Sequence, residues 1–537
     1  MSLGVRPNIS IAMTIAATHS KIRNHWLGIF GLILFFVLLR WNSYDAPLIR
    51  DEGEYAYAAQ LLVQDVAPYE HAFIQKPPMV IYSYALANLL LPDAFWAPRL
   101  LAYLFVALTT VLLGYIARLE FGKCHALPTM WLATPMILLP SIDGFGTSTE
   151  MFMLLPLLAT VAIYVHSRHH GQKLRYWFAA GFLAATSLYY KYTALPVLAF
   201  VFVVWLAEMW QSAWSANLLW RSLAAAFAGM VVATVAELGF FLIHDGGASL
   251  WECTVQFNRY YVASSNFNPS YFWSRLEDFW DSWWILFLIP WATLLQPRPR
   301  IWFWLGIFIC ALIATSASCY GQYYVIIMPF WALLNAVGIC ALASRIAEWS
   351  AQPPRRLECL LAVFVVLLVI RTDVPWLLCS HERFAEAKMG EYPFLESKLV
   401  ADQVSQLSSP DDFVFVAGSE PQILYYAHRF SPTRFITSYA LMTPTPVVRD
   451  YQHEAIRDLQ RWPPKLIVFV QSSSSWLRQQ TTPSDYFDFL NGFLNQNYDL
   501  EGGFVKDNGQ KGYWSKHPNS KEIDASSLLL YERKPLP

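Results

Sequence analysis

Charge is scarce in this chain. Only 14% of its 537 residues are charged, against about 25% in an ordinary soluble domain. The two signs nearly cancel, with Lys+Arg 38 against Asp+Glu 39 and a formal net charge of −1. No basic stripe or RNA-binding signature is present, which argues against a nucleic-acid partner. The seven cysteines (Cys124, Cys253, Cys310, Cys319, Cys340, Cys359 and Cys379) are scattered without a paired ligand spacing. Neither a zinc site nor a disulfide scaffold is expected from them, and each reads as a small apolar filler. There is no internal repeat or low-complexity tract. Lys21 and Arg23 precede the first apolar run without a small-residue cleavage site, so an uncleaved first span is expected.

Apolar and aromatic residues fill the space that charge leaves. The chain is 55% hydrophobic, with Trp 23, Tyr 28 and Phe 36, and apolar runs recur through the first 380 residues. This composition predicts a mainly α polytopic membrane protein. Candidate spans lie near 26–41, 98–117, 125–140, 150–166, 175–190, 192–210, 222–243, 282–296, 301–315, 323–345 and 357–378. These are eleven, within a range of about 11–13, and several fall short of the ~20 residues a span needs. Basic residues mark alternate loops: Lys21 and Arg23, Arg118 and Lys123, "SRHHGQKLR" (167–175), Arg221, "QPRPR" (296–300), and Arg345, Arg355 and Arg356. Positive loops favour the cytoplasmic side, so the C-terminal region falls outside. The segment "PPMVIYSYALANLLL" (77–91) is apolar but short, and reads as a partly embedded helix within a first external loop spanning 42–97. Beyond residue 380 the composition turns polar. "DDFVFVAG" and "KLIVFVQ" read as short buried strands, predicting a transmembrane domain over 1–379 and a small external α/β domain over 380–537. "SSSSWLRQQTTPS" (472–484) reads as an exposed loop.

The external loops collect the unusual polar residues: Asp51, Glu52, Glu54, Lys76, Asp143, Glu150, Lys191 and Arg259. Tyr55, Ala58, Ala59 and Leu62 repeat at helical spacing, suggesting an amphipathic helix on the membrane surface. Each polar residue has a plain structural reading. Asp51 and Glu52 can cap that helix, Lys76 and Lys191 can snorkel, Asp143 can belong to the turn "SIDGFG", and Arg259 can pair with Glu252. Glu150 stands at the head of an apolar helix, where a carboxylate is costly enough to suggest function. Together they supply what transfer at a phosphate-linked sugar needs: a base for the acceptor hydroxyl and cations for the departing phosphate.

The order "DEGEYAYAAQLL", then "QKPP", then an acid opening an apolar helix resembles membrane glycosyltransferases of the GT-C class. It is most similar to the family 39-like branch containing protein O-mannosyltransferases and the lipid A aminoarabinose transferase. "QFNRYY" resembles that branch's Asn-x-x-Arg-aromatic loop, and "GQYYVIIMPFWALL" its late Gly-His-Tyr helix start, with Gln322 where His is common. "FVFVAGSEPQILYYAHRFSPTRF" resembles an external-domain motif of bacterial members. The resemblance implies a GT-C fold and a polyprenyl-phosphate sugar donor. It also implies a lipid, glycan or protein acceptor and a bacterial plasma (inner) membrane with the site on the periplasmic face. It assigns Asp51 as the base, with Glu52 adjoining it and Glu150 as the second-loop acid. Lys76 and Arg259, with Lys191, become contacts to the lipid phosphate. Paired external carboxylates also suit a divalent cation, with Asp51 and Glu150 as candidate ligands, although the sequence requires none.

The leading expectation is therefore a glycosyltransferase acting by inverting displacement. The competing class is a transporter or lipid flippase, which would place ionisable residues at the midplane of broken helices in repeated halves. Within the same fold class, a surface polysaccharide polymerase or ligase differs mainly in its donor.

Overall fold

The computed structural model describes residues 28–92, 94–211, 216–264, 269–295, 300–315, 320–350, 352–390, 392–506 and 512–535. Lys21, Arg23, Trp26, Arg298 and Cys319 lie outside the described residues. Each expected span contains a helix, including Ala97–Phe121, Ala126–Leu138, Thr149–His170, Leu174–Tyr190, Ala216–Ile243, Met328–Ser350 and Pro354–Ile370. Among the described residues, five helices are by length and composition apolar enough to cross a bilayer alone: Ala97–Phe121, Thr149–His170, Tyr192–Gln211, Ala216–Ile243 and Met328–Ser350. Gly28–Leu38 and Ile301–Thr315 are shorter apolar helices. Met79–Leu90 has 12 residues, too few to span, and packs between the Arg50–Val63 and Ala97–Phe121 helices.

Burial shows which surfaces meet lipid. On Ala97–Phe121, Leu100, Leu104, Leu108, Val111 and Tyr115 are exposed, while Ala102, Val106, Leu113 and Ile116 are buried. Residues three and four apart share a helix face, so one apolar stripe faces outward and the other is packed. Where Leu174–Tyr190 meets Ala216–Ile243, a Cβ on Gly181 would stand 1.9 Å from the Ala226 carbonyl oxygen, and one on Gly229 would stand 2.0 Å from that of Phe178. Only glycine permits such an approach, the usual device for joining helices in lipid. Met328–Ser350 is buried from Met328 to Ala341 and forms the centre of the bundle.

One end of the bundle is laced by ion pairs between basic loops. Glu120 takes Arg168 at 3.0 Å and His169 at 3.3 Å. Glu208 takes Arg168 at 3.4 Å and also pairs with Arg300. These contacts join the ends of four helices, so loops that alternate in sequence do lie together.

The polar C-terminal part holds a five-stranded sheet. Its strands are β1 (Val414–Ala417), β2 (Leu466–Val470), β3 (Tyr498–Val505), β4 (Tyr513–Lys516) and β5 (Ser526–Arg533), in the order β1-β2-β5-β3-β4. β1 and β2 are parallel, with Val414 opposite Leu466, and the remaining pairings are antiparallel. The 472–484 stretch is not wholly exposed. Ser473–Trp476 forms a short helix, and Ser475 and Trp476 are buried. The Ser475 hydroxyl donates to Glu420 at 2.5 Å, and Trp476 Nε1 donates to the Val470 carbonyl at 2.8 Å.

The Arg50–Val63 helix differs from the amphipathic surface helix expected of it. Its residues from Glu52 to Ala59 are all buried, because the segment 419–431 covers the side that the sequence pattern left to solvent. Arg50 Nε donates to the Ser419 carbonyl at 2.8 Å, and its Nη2 stands 3.4 Å from Glu420. The Tyr57 hydroxyl accepts the Ser431 N–H at 3.0 Å, and the Tyr426 hydroxyl accepts the Leu48 N–H at 2.8 Å. At Gly53 a Cβ would stand 2.5 Å from the Gln422 nitrogen, so the missing side chain is what lets the two segments touch. The motif "GSEPQILYYAHRF" is thus a docking seam between the polar domain and the first loop.

Candidate active site

The site is assembled at the membrane end opposite the basic loops. Arg50–Val63 carries Asp51 and Glu54 three residues apart, which places them on one helix face. The extended segment before Met79 brings Lys76, with Pro77 and Pro78 fixing its backbone. Thr149–His170 presents Glu150 at its first turn, and Lys191 caps the end of Leu174–Tyr190. The 3₁₀ turn Gly321–Ile326 adds Tyr323.

Lys76 ties these elements together. It is 9% exposed. Burial alone would lower its pKa, but Tyr323, Asp51, Glu54 and Glu150 outweigh that and hold it above the usual lysine range. Lys191 pairs with the Glu150 carboxylate, and its ammonium stands 3.4 Å from the centre of the Tyr323 ring. The structure therefore gathers Asp51, Lys76, Glu150 and Lys191 from segments far apart in sequence. Asp51 is half-buried and has no hydrogen-bond partner among the described residues. Glu150 is matched by the Lys191 ammonium, so its charge is compensated without a divalent ion. If a cation is bound, Asp51 and Glu150 are the residues that would hold it.

Glu52, expected beside Asp51 as a catalytic acid, has a different occupation. Its Oε1 accepts from Arg99 Nε at 2.8 Å and from the Thr147 N–H at 2.8 Å. Its Oε2 accepts from Arg99 Nη2 at 2.5 Å and from the Ile49 N–H at 3.1 Å. A carboxylate has about four acceptor positions, and all are filled. Burial pushes the carboxyl up, but Arg99 and the two N–H groups outweigh it and hold it below the usual carboxylate range. Both partners are fully buried. Glu52 is thus a structural anchor, joining the first loop to the Ala97–Phe121 helix and to the turn before Glu150.

Arg259 is not drawn into this group. It is exposed on the Phe257–Ser264 helix, and Glu252, its expected partner, pairs with Arg434 instead at 2.9 and 3.0 Å. Arg434 also binds Glu454 at 2.6 and 2.9 Å, joining the polar domain to the loop. The residue beside Arg259 does reach the site's framework: Asn258 Nδ2 donates to the Gln75 carbonyl at 2.8 Å. Asp143 takes a turn position with φ 55°, in line with its turn reading.

Two residues escaped the sequence reading of the site. Arg99 and Tyr439 gave no local signal, since their partners are distant. Glu54 did give one, the three-residue spacing from Asp51. It is buried, and burial first, then Asp51, pushes its carboxyl up to about 8. A polar cavity of about 290 Å³ adjoins the Tyr323 turn, lined by Ser141, Arg275, Asp278, Asp281 and Gly321.

A profile of the dolichyl-phosphate-mannose-protein mannosyltransferase family matches residues 75–236, the stretch that carries Lys76, Glu150 and Lys191. Two solved structures share the fold over nearly the whole chain. ArnT from Cupriavidus metallidurans in the apo state is 15% identical with a TM-score of 0.59, covering 95% of this chain and 98% of that one. ArnT bound to undecaprenyl phosphate is 14% identical with a TM-score of 0.56, covering 94% of this chain and 97% of that one. No curated protein sequence matches. These findings bear out the resemblance to GT-C class membrane glycosyltransferases of the protein O-mannosyltransferase and ArnT branch, and the chain has a GT-C fold.

Proposed function

We propose that this GT-C membrane protein transfers a sugar from a polyprenyl-phosphate donor to an acceptor hydroxyl or phosphate at the external membrane face. The observation that carries the reading is the convergence of Asp51, Glu150, Lys76 and Lys191 at one end of the bundle. Asp51 accepts the proton of the acceptor hydroxyl as that oxygen attacks the anomeric carbon. The bond from that carbon to the phosphate oxygen breaks with its electron pair leaving on the polyprenyl phosphate. Lys76 stabilises that departing charge with Lys191, and Arg259 receives the phosphate from the exposed rim. Single displacement inverts the anomeric configuration. Glu150 holds Lys191 in place through their ion pair.

The pattern of basic loops supports an external site, and with the family resemblance it favours a bacterial plasma membrane with the site on its periplasmic side. The division into a transmembrane domain over 1–379 and an external domain over 380–537 belongs to the same proposal. The external domain closes over the first loop, where its position suits it to select the acceptor.

The test is transfer of label from a mixed set of polyprenyl-phosphate sugars in proteoliposomes, comparing wild type with Asp51→Asn. A positioned base contributes about 10²–10⁴-fold, so a folded Asp51→Asn protein should lose at least two orders of magnitude. Equal transfer by both proteins removes Asp51 from the mechanism.

A further inference from the structure

At the membrane end far from Asp51, the fold brings the adjacent Cys124 and His125 together with Cys340, which lies far along the chain. Ala97–Phe121 ends at Gly122, whose φ of 105° suits only glycine. The chain then turns through the 3₁₀ segment Lys123–His125. Cys124 Sγ lies 3.2 Å from His125 Nδ1. Cys340 comes from the core helix Met328–Ser350, and the ligand atoms of Cys124, His125 and Cys340 all lie within 4.8 Å of one another. The cysteines, scattered in sequence, are here brought by packing into one potential ligand group. Sequence spacing reveals local ligand pairs, whereas this group depends on packing between distant spans.

We propose that Cys124, His125 and Cys340 form a zinc-binding site that clamps the turn after Ala97–Phe121 to the core helix. Two thiolates and an imidazole suit a borderline-soft divalent ion. With Zn–S bonds of about 2.3 Å and Zn–N bonds of about 2.0 Å, tetrahedral ligand atoms lie roughly 3.3–3.8 Å apart, close to the 4.8 Å within which the observed ligand atoms fall. Glu358, the fifth residue of the Pro354–Ile370 helix, is 8% exposed and lies within electrostatic reach of Cys124 and His125. The charge sign of the neighbouring loops, with Arg118, Lys123 and Arg355, places the group on the reducing cytoplasmic side, where paired thiols persist and bind metal. The clamp lies at the other end of the bundle from the proposed chemistry, so it acts on the packing of the spans.

The experiment is titration of the chelator-treated full-length chain, in lipid nanodiscs, with Co²⁺ and then Zn²⁺. The expected result is saturation at one Co²⁺ per chain, with a thiolate-to-cobalt charge-transfer band that Zn²⁺ abolishes and that Cys340→Ala lacks. No such band at stoichiometric Co²⁺, or an equal band in Cys340→Ala, overturns the proposal. Because Cys340→Ala removes a core side chain, alkylation of the wild-type protein gives a second readout. Zn²⁺ should slow labelling of the exposed Cys124 at least tenfold and leave the exposed Cys359 unchanged, as read by peptide mass spectrometry. Equal labelling with and without Zn²⁺, or a Cys124–Cys340 disulfide in protein isolated from cells, overturns it as well.

Discussion

The Tyr439 hydroxyl stands 3.1 Å from Glu54 Oε1. The Tyr439 hydroxyl oxygen also accepts the Gln75 N–H at 3.2 Å and lies 3.0 Å from the Phe73 carbonyl. A tyrosine of the polar domain thus grips both the helix that carries Asp51 and the strand of chain that delivers Lys76. The ring adds to this grip, packing 6.3 Å from Phe73 and 5.9 Å from Phe257.

Tyr439→Phe keeps that ring packing and removes the hydroxyl. The half-buried Gln75 N–H then loses its acceptor, at a cost of about 1 kcal/mol. The expected outcome is a folded protein with a lower Tm and a KM for the lipid donor raised about tenfold. Donor titrations in proteoliposomes check this. Wild-type KM would show that the domain does not hold the Lys76 segment through this contact.

Glu54 gives a pH prediction. Its folded pKa is raised to about 8 by burial and then by Asp51, whereas an unfolded glutamate titrates near 4.5. Between these values the folded state binds the extra proton, so Glu54 makes stability fall as pH rises, by up to ~1.4 kcal/mol per unit. The loss begins near pH 4.5 and ends near pH 8. Glu54→Gln, whose carbonyl can still accept from Tyr439, should match wild type near pH 4.5 and unfold at higher temperature above pH 8. Tryptophan fluorescence melts across that range make the comparison. Parallel melting curves at every pH would show that Glu54 does not titrate there.

The spans were legible in the sequence because lipid imposes a simple rule on length and apolarity, and the basic loops were legible because their charges repeat in alternate connections. Lys76, Glu150 and Lys191, which the fold brings together, stand out in the sequence because each is a charge at the edge of an apolar run. Pairings were not. Nothing local distinguishes Glu52, which binds Arg99 on another helix, from Asp51, which makes no such pair among the described residues. Nor does local pattern reveal that Arg50–Val63 is covered on its polar side, since period alone cannot say whether a second domain lies above it. Gly53 carried that information only once Gln422 was seen against it.

The Glu52–Arg99 pair should prove structural when tested. Both side chains are fully buried, and removing one partner strands the other charge, a loss of about 3–5 kcal/mol. Glu52→Gln and Arg99→Met should each lower yield and Tm sharply. The double variant should recover part of the loss, because no unpaired charge remains. Asp51→Asn, by contrast, should retain wild-type Tm. A folded, inactive Glu52→Gln protein with wild-type melting would return Glu52 to the catalytic group.

Glu150 and Lys191 can be separated by the parameter each one moves. If Lys191 stabilises the charge that forms on the departing phosphate, its loss is felt in the transition state rather than in donor binding. Lys191→Met should then lower kcat by about 10²-fold with donor KM little changed, while Lys76→Met should also raise KM. Glu150→Gln leaves the lysine present but frees it from its ion pair, so a loss of about tenfold is expected. Combining Glu150→Gln with Lys191→Met should cost little more than Lys191→Met alone, because Glu150 acts through that ammonium. Steady-state transfer kinetics of the three variants decide the matter. Multiplicative losses in the double variant would give Glu150 an independent role, and rescue of activity by added divalent cation in Lys191→Met would assign the carboxylate to a metal.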